Sequence, residues 1–255
     1  MRTPLLQDLY HVFKLPSDLI YKHIILDKHT RGRKCRHSLL TQIILTIFKL
    51  KYNLPDRTLE LFFKIDHVTI SRYVTRISKI IAELNICVSV PKCYTVDTTM
   101  TRIGRDKTKH TFSGDKHYHG LKYQMVINNH QEIISISNGI DSSIHDKKIF
   151  ELEYTKVFNQ LDTNLSIIGD KAYVGLEGYR VITPFKHNEQ RFKNNIQKAK
   201  SRNKRLSIER VRIEHVFGRL KTYRILAMPY YYAKSKLDVF VKAIGNIYNL
   251  IKTST

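Results

Sequence analysis

The chain has 255 residues, with 44 Lys+Arg against 22 Asp+Glu, for a formal net charge of +22. Its 42% apolar content is enough to build a buried core and excludes a fully disordered chain. The longest apolar runs, such as Ile43 to Phe48, stop far short of the ~20 residues a membrane span needs. No signal peptide is visible over Met1 to Lys14. Cys35, Cys87 and Cys93 form no CxxC pair and no disulfide framework, which favours a reducing interior, cytoplasmic and nucleoid-associated. So large a positive surplus points to a polyanionic partner. No basic amphipathic helix stands out to meet a membrane, so nucleic acid is the partner expected.

The surplus is spread along the chain: residues 1–90 hold 15 basic and 7 acidic residues, and 91–255 hold 29 and 15. A domain boundary is expected near Pro91, where helical periodicity gives way to β-branched runs, dividing the chain into 1–90 and 91–255. In the first part, Leu39, Leu40, Ile43, Ile44, Ile47 and Leu50 share one helical face. The chain turns at Asn53-Leu54-Pro55 into a helix carrying Leu59, Leu61, Phe62 and Phe63. After a break at Lys64-Ile65-Asp66, Asp66 is placed to cap a helix that carries Val68, Ile70, Val74 and Ile77 inward. Its other face shows Thr69, Ser71, Arg72, Tyr73 and Arg76. Two helices, a tight turn, and polar and basic side chains at the start of the second describe a helix-turn-helix that binds double-stranded DNA through Thr69, Ser71, Arg72 and Arg76. An ordinary three-helix bundle with a solvated face is the plainer alternative.

Beyond Pro91 the expected elements are a short strand from Tyr94 ending at Asp97, strands over Leu121–Asn128 and Ile133–Ile140 joined by a turn at Asn129-His130-Gln131, and a helix from Asp146 to Phe158. Strands follow over Leu165–Gly169 and Val181–Phe185, then a long helix from about Ser207 to Tyr223. Together they describe a mixed α/β sheet with flanking helices, preceded by the all-α part.

Asp97 and Asp170 each follow an apolar strand, and the carboxyl ends of strands are where α/β sheets place ligands. Two acids there are costly to bury unless a cation neutralises them, and Mg²⁺ prefers such hard oxygen ligands. Either acid alone reads equally as the start of a loop or a helix cap. A third acid, Glu214, lies in a stretch from Lys186 to Arg224 with 13 Lys+Arg and three acids. Arg210, Glu214 and Lys221 fall on one helical stripe, as a surface ion-pair row or as a metal ligand between phosphate-gripping bases. His110, His117, His119 and His145 cluster in sequence, but His117-x-His119 without a cysteine is poor zinc spacing. Tyr230, Tyr231 and Tyr232 read as half core and half surface.

The segment Arg210-Val-Arg-Ile-Glu214-His-Val-Phe-Gly-Arg-Leu-Lys221 resembles the R-x3-E-x6-K signature of DDE-superfamily insertion-sequence transposases, in the branch that includes the Harbinger-type nucleases. Asp97 in Val96-Asp97-Thr98-Thr99 resembles that family's first acid, and Asp170 in Gly169-Asp170-Lys171-Ala172-Tyr173 its second. Ser143-Ile144-His145-Asp146 and the stretch Lys116 to Lys122 also match it in character and place. The resemblance implies an RNase H-like fold, with the first and fourth strands adjacent and the acid-bearing helix beside them. It also implies a catalytic and metal-binding set of Asp97, Asp170 and Glu214 holding two Mg²⁺ ions, with Mn²⁺ able to substitute.

In that scheme Arg210 and Lys221 contact DNA phosphates, Lys171 and His215 are lesser candidates for the same task, and Asp146, beside His145, is either a fourth ligand or a helix cap. The activity implied is that of an endonuclease and strand transferase acting on paired transposon ends as a homodimer. One departure stands out: related families often carry a tyrosine, thought to help stabilise DNA at the transposon end, three residues before the signature arginine, where this chain has Ser207. Two other readings share these residues: a non-catalytic or domesticated DNA-binding protein derived from a transposase, and a metal-dependent nuclease with a different cellular task.

Overall fold

The computed structural model describes Asp8 and residues 11–26, 36–104, 109–158 and 165–254. The chain folds as two units, Met1–Cys87 with Leu220–Thr255, and Val88–Arg219. Cys35 lies outside the described residues.

The first unit is helical: α1 (Lys14–Leu26), α2 (Leu39–Tyr52), α3 (Asp56–Phe63), α4 (His67–Ala82) and, from the C-terminal part of the chain, α8 (Arg224–Ala227) and α9 (Lys234–Thr253). Local signals set most of these boundaries. Ser38 caps α2 by accepting from Thr41 N at 3.2 Å, and Asn53 ends it in the left-handed region at φ 52°. Ile43, Ile44, Ile47 and Leu50 are buried along its expected face. Pro55 precedes α3, and Lys64, also left-handed, closes it. Asp66 then caps α4, accepting from Val68 N at 3.1 Å and Thr69 N at 2.9 Å.

Within α4 the inward set is Ile70, Val74, Ile77 and Ile81, while Val68 is 45% exposed. The expectation for Val68 fails because two residues of helix put it about 160° around the axis from Ile70. α9 packs against α4 and closes its C-terminal backbone: Asn246 Nδ2 donates to the carbonyls of Ile81 at 2.8 Å, Leu84 at 3.1 Å and Ala82 at 3.3 Å. Asn246→Ala removes the side-chain donor from Ala82 O and Leu84 O, while Ile81 O keeps Leu84 N–H at 3.2 Å, and is expected to cost about 1–2 kcal/mol, read from denaturant midpoints of the full chain. An unchanged midpoint would mean water replaces the amide at no cost.

The second unit is built on a mixed sheet that has seven strands among the described residues: β1 (Tyr94–Arg102), β2 (Phe112–Ser113), β3 (Tyr118–Asn128), β4 (Ile133–Ile136), β5 (Ile140–Asp141), β6 (Ile167–Ile168) and β7 (Val181–Ile182). The order is β2-β3-β1-β6-β7, with β4 and β5 also paired to β3. β1 runs antiparallel to β3 from Tyr94↔Asn128 to Arg102↔Gly120 and parallel to β6 at Tyr94↔Ile167 and Thr95↔Ile168. Long β1–β3 pairing carries β1 on past Asp97 to Arg102, so that acid sits within a strand and not at its end. The segment expected as one strand over Ile133–Ile140 is split into β4 and β5, and β6 and β7 are two-residue strands.

The helices of this unit are α5 (Asp146–Phe158), as expected, α6 (Gln190–Asn194) and α7 (Ile196–Lys221), whose last two residues belong to the first unit. α7 begins at Ile196 and not near Ser207; its first half is polar and buries only Ala199 and Leu206, so no apolar periodicity marks it, and Arg202 and Asn203 hold it to Thr183 and Phe185. Phe150 of α5 joins Tyr94, Val96, Val126, Ile167, Tyr173, Leu176 and Val181 in the core on one face of the sheet. Among the described residues no helix is long and apolar enough to cross a membrane.

Candidate active site

Asp97 leaves the middle of β1 just beyond the point where β6 stops pairing with it, since the β1–β6 ladder ends at Thr95. Its Oδ1 accepts from Thr98 N at 2.8 Å. Burial pushes the Asp97 carboxyl up to about 6; Asp170 and Asp146 push in the same direction, while Thr98 N–H and Arg210 oppose them. Removal from water destabilises the anion, and two further carboxylates in range add repulsion.

Asp170 follows β6 by two residues and caps the short 3₁₀ turn Lys171–Tyr173, accepting from Ala172 N at 2.7 Å. The turn is held from below by the ring of Tyr173, which packs on Gly169: a Cβ there would stand 3.1 Å from three atoms of that side chain. A residue with any side chain at 169 would require the Tyr173 side chain to give by a few tenths of an ångström. Tyr173 itself is fully buried, and its hydroxyl makes no well-formed hydrogen bond. Burial raises its pKa well above 10, as do Asp97, Asp146 and Asp170, with Gln124 beside it working the other way. Neither Tyr173 nor Gln124 stands out in the sequence; the one signal is the place of Tyr173 three residues after the acid.

Asp146 is the first residue of α5, where a carboxylate suits the positive end of the helix, and its Oδ1 is 3.0 Å from Lys122 Nζ. Lys122 also donates to the carbonyl of Ile144 at 2.8 Å. Next to this pair an open cleft is lined by Asp115, Lys122, His145, Asp146, Lys147, Lys148, Glu151 and Ala172. His145 and Lys171 are both exposed.

Arg210 and Glu214 occupy successive turns of α7. The Arg210 side chain is 26% exposed and that of Glu214 57%, with 3.8 Å between Nη2 and Oε1. Arg210 is thus the link between the two parts of the site, attracted to Asp97 on one side and Glu214 on the other. Lys221 is the exposed last residue of the helix, seven positions on. The structure therefore brings Asp170, Asp146 and Arg210 each into electrostatic range of Asp97. Glu214 stands on the solvent side of its helix, and among the described residues no group of three or more His, Cys, Asp or Glu is already arranged to hold a metal ion.

The four DNA-binding candidates on α4 do not form one face. Thr69, Arg72 and Arg76 share a side of the helix, three and four residues apart. Arg76 donates to the Gln42 side chain on α2, and Tyr73 hydroxyl is 3.1 Å from His37 Nδ1. Ser71 lies round the helix with Thr75, lining a small pocket shared with Lys49, Tyr230 and Tyr232. Of the tyrosine triplet, Tyr230 is buried while Tyr231 and Tyr232 are exposed, as the sequence indicates.

Comparison with known proteins gives the chain a family. A protein from Microchaete diplosiphon described as a probable transposase for insertion sequence element IS702 is 32% identical over 159 residues, which is 60% of this chain and 55% of that protein. The chain thus matches little more than half the length of that relative. No solved structure matches. The family model described as DDE superfamily endonuclease matches residues 96–249, starting one residue before Asp97 and running through α7 into α9, and the chain belongs to that family.

Proposed function

We propose that this protein is a DNA transposase whose reacting centre is formed by Asp97, Asp170 and Glu214. The observation that carries the reading is the approach of Asp97, Asp170 and Arg210 at the β1–β6 junction, where the Asp97 carboxyl is raised to about 6. A carboxyl in that state lacks sufficient positive charge nearby, and a bound cation would remove the strain. The donor set fits Mg²⁺: hard carboxylate oxygens from few side chains, with DNA phosphates filling the remaining positions. Bound there, Mg²⁺ or Mn²⁺ would activate a water and stabilise the leaving 3′ oxygen.

Asp97 and Asp170 would hold the cation from β1 and the turn after β6. Glu214 would complete the set on releasing Arg210, which would then turn to the phosphate. In the first step a water oxygen attacks phosphorus in line, the P–O3′ bond breaks, and the strand is left with a 3′-hydroxyl opposite a 5′-phosphate. In the second, that 3′ oxygen attacks a phosphodiester of target DNA, forming one P–O bond and breaking another. Lys221 and Lys171 are the further phosphate contacts. The antiparallel β3–β1 pair followed by parallel β6 and β7 supports an RNase H-like reading of the sheet. α3, the turn at 64–66 and α4 support residues 1–90 as a helix-turn-helix DNA-binding domain, with Thr69, Arg72 and Arg76 toward DNA. Two copies on paired ends, in the nucleoid, complete the proposal.

The test is to incubate the full chain with duplex carrying the element's ends and Mg²⁺ or Mn²⁺, and to map the products. Ends with 3′-hydroxyls, and strands joined to target, are expected only with metal. A second reading, a non-catalytic DNA-binding relative, draws on the exposure of Glu214 and its pairing with Arg210. Tight binding without cleavage in either metal would favour it.

A further inference from the structure

The first half of α7, from Ile196 to Ser207, carries Lys198, Lys200, Arg202, Lys204 and Arg205 and no acid. The two carboxylates of this helix lie beyond it and pair within the helix, Glu209 with Arg212 at 2.8 Å and Glu214 with Arg210 at 3.8 Å. Among the described residues Lys198, Lys200, Lys204 and Arg205 have no carboxylate partner, and all four are exposed. Four exposed cations without a carboxylate partner on one stretch of helix repel one another, so their presence asks for an outside anion.

Anchoring interactions set which way the helix faces. Arg202 donates to the carbonyl of Thr183 at 2.8 Å and lies 4.0 Å over the ring of Phe185. Asn203 both accepts from Phe185 N at 2.9 Å and donates to Phe185 O at 3.0 Å. With Ala199 and Leu206 buried on the same side, the roll of the helix is pinned. Along one flank, about 110° round the axis from that anchored side, runs a continuous exposed line at spacings of four and three: Lys200, Lys204, Ser207, Val211 and Glu214. Lys198 and Arg205 share a different edge, on the far side of the helix from Glu214.

We infer that Lys200 and Lys204 form a DNA-backbone track that leads along α7 to Glu214 and grips one strand a fixed distance from the bond being broken. This deepens the transposase reading and rests on it for the position of the bond. At about 1.5 Å per residue, Lys204 and Lys200 lie roughly 15 and 21 Å along the axis from Glu214. A strand following the helix at about 3.4 Å per nucleotide places those lysines at phosphates roughly four and six nucleotides away. The small Ser207 leaves the line open between Lys204 and Glu214.

Binding of the full chain to a duplex of about 30 base pairs in EDTA tests this without any cleavage. Every phosphate that a protein no longer neutralises reduces the steepness of log K against log salt by about 0.9. Lys200→Ala with Lys204→Ala is expected to reduce it by close to the amount for two phosphates. Lys198→Ala with Arg205→Ala, which removes the same charge from the other edge, is expected to change it by less than the amount for one. Alanine preserves the helix, and unchanged circular dichroism of both variants confirms it. Equal slopes for the two variants, or no change in either, would overturn the track. Because no metal is present, a reduced slope in a chain that never cleaves DNA would uphold the track and sink only the nuclease reading.

Discussion

Asp97→Asn and Asp170→Asn variants are each expected to lose about 10³-fold or more of metal-dependent DNA cleavage while keeping their fold and their affinity for duplex. The magnitude follows from the task proposed for these carboxylates. Cation stabilisation of an attacking water and a leaving oxygen is worth several kcal/mol, and each 1.36 kcal/mol is tenfold in rate. Asparagine keeps the shape of the side chain and one acceptor oxygen. At position 170 it can still cap the turn to Ala172, and at position 97 it can still accept from Thr98. A fall in cleavage would then report the missing charge and not a change of structure. Glu214→Gln is expected to fall by a comparable factor, although it leaves an exposed position on α7. Single-turnover cleavage at saturating Mn²⁺, beside duplex affinity in EDTA, separates chemistry from binding. Cleavage within tenfold of the parent in Asp170→Asn would remove that residue from the reacting centre.

Asp97→Asn is also expected to stabilise the metal-free protein, by an amount that depends on pH. The folded-state carboxyl titrates at about 6 and its ordinary value is 3.8, so Asp97 costs nothing below the lower value, where it is protonated in both states. Between about pH 4 and 6 the unfolded chain ionises and the folded chain does not, so stability falls as pH rises. Above that window the loss is complete. A shift of about two units is worth about 3 kcal/mol at most. In EDTA the variant should therefore melt several degrees above the parent at about pH 7 and together with it at about pH 4. Adding Mn²⁺ at neutral pH should raise the parent and leave the variant unmoved, because a ligand that binds the folded state stabilises it. A difference in melting that is the same at both pH values would show that the charge on Asp97 is not its source. Gaining stability by removing a group is the usual mark of a position kept for function.

Local physics makes much of the first unit legible in the sequence. The cap at Asp66, the turn at Asn53-Leu54-Pro55 and the apolar faces of α2 and α4 act through neighbours one to four residues away. The start and end of α5 are legible for the same reason, and the acids resembling the family's are found by their place after apolar runs. Where the reading fails, partners distant in sequence decide. β1 runs on through Thr98 to Arg102 because β3 pairs with every residue of it, and nothing within the strand announces that. The polar first half of α7 has no apolar periodicity to betray it; Phe185 and Thr183 hold it through Asn203 and Arg202.

The same division runs through the candidate site. Sequence by itself determined which residues carry charge, and in what order along the chain. Folding is what places Asp170 and Asp146, from two other elements, in range of the buried Asp97, with Arg210 opposing Asp97 and Lys122 paired to Asp146. It also left the side of α7 that carries Glu214 and the two lysines before it open to solvent. Proximity of like charges and the roll of a polar helix are both set by packing between distant segments, where periodicity and spacing carry no information.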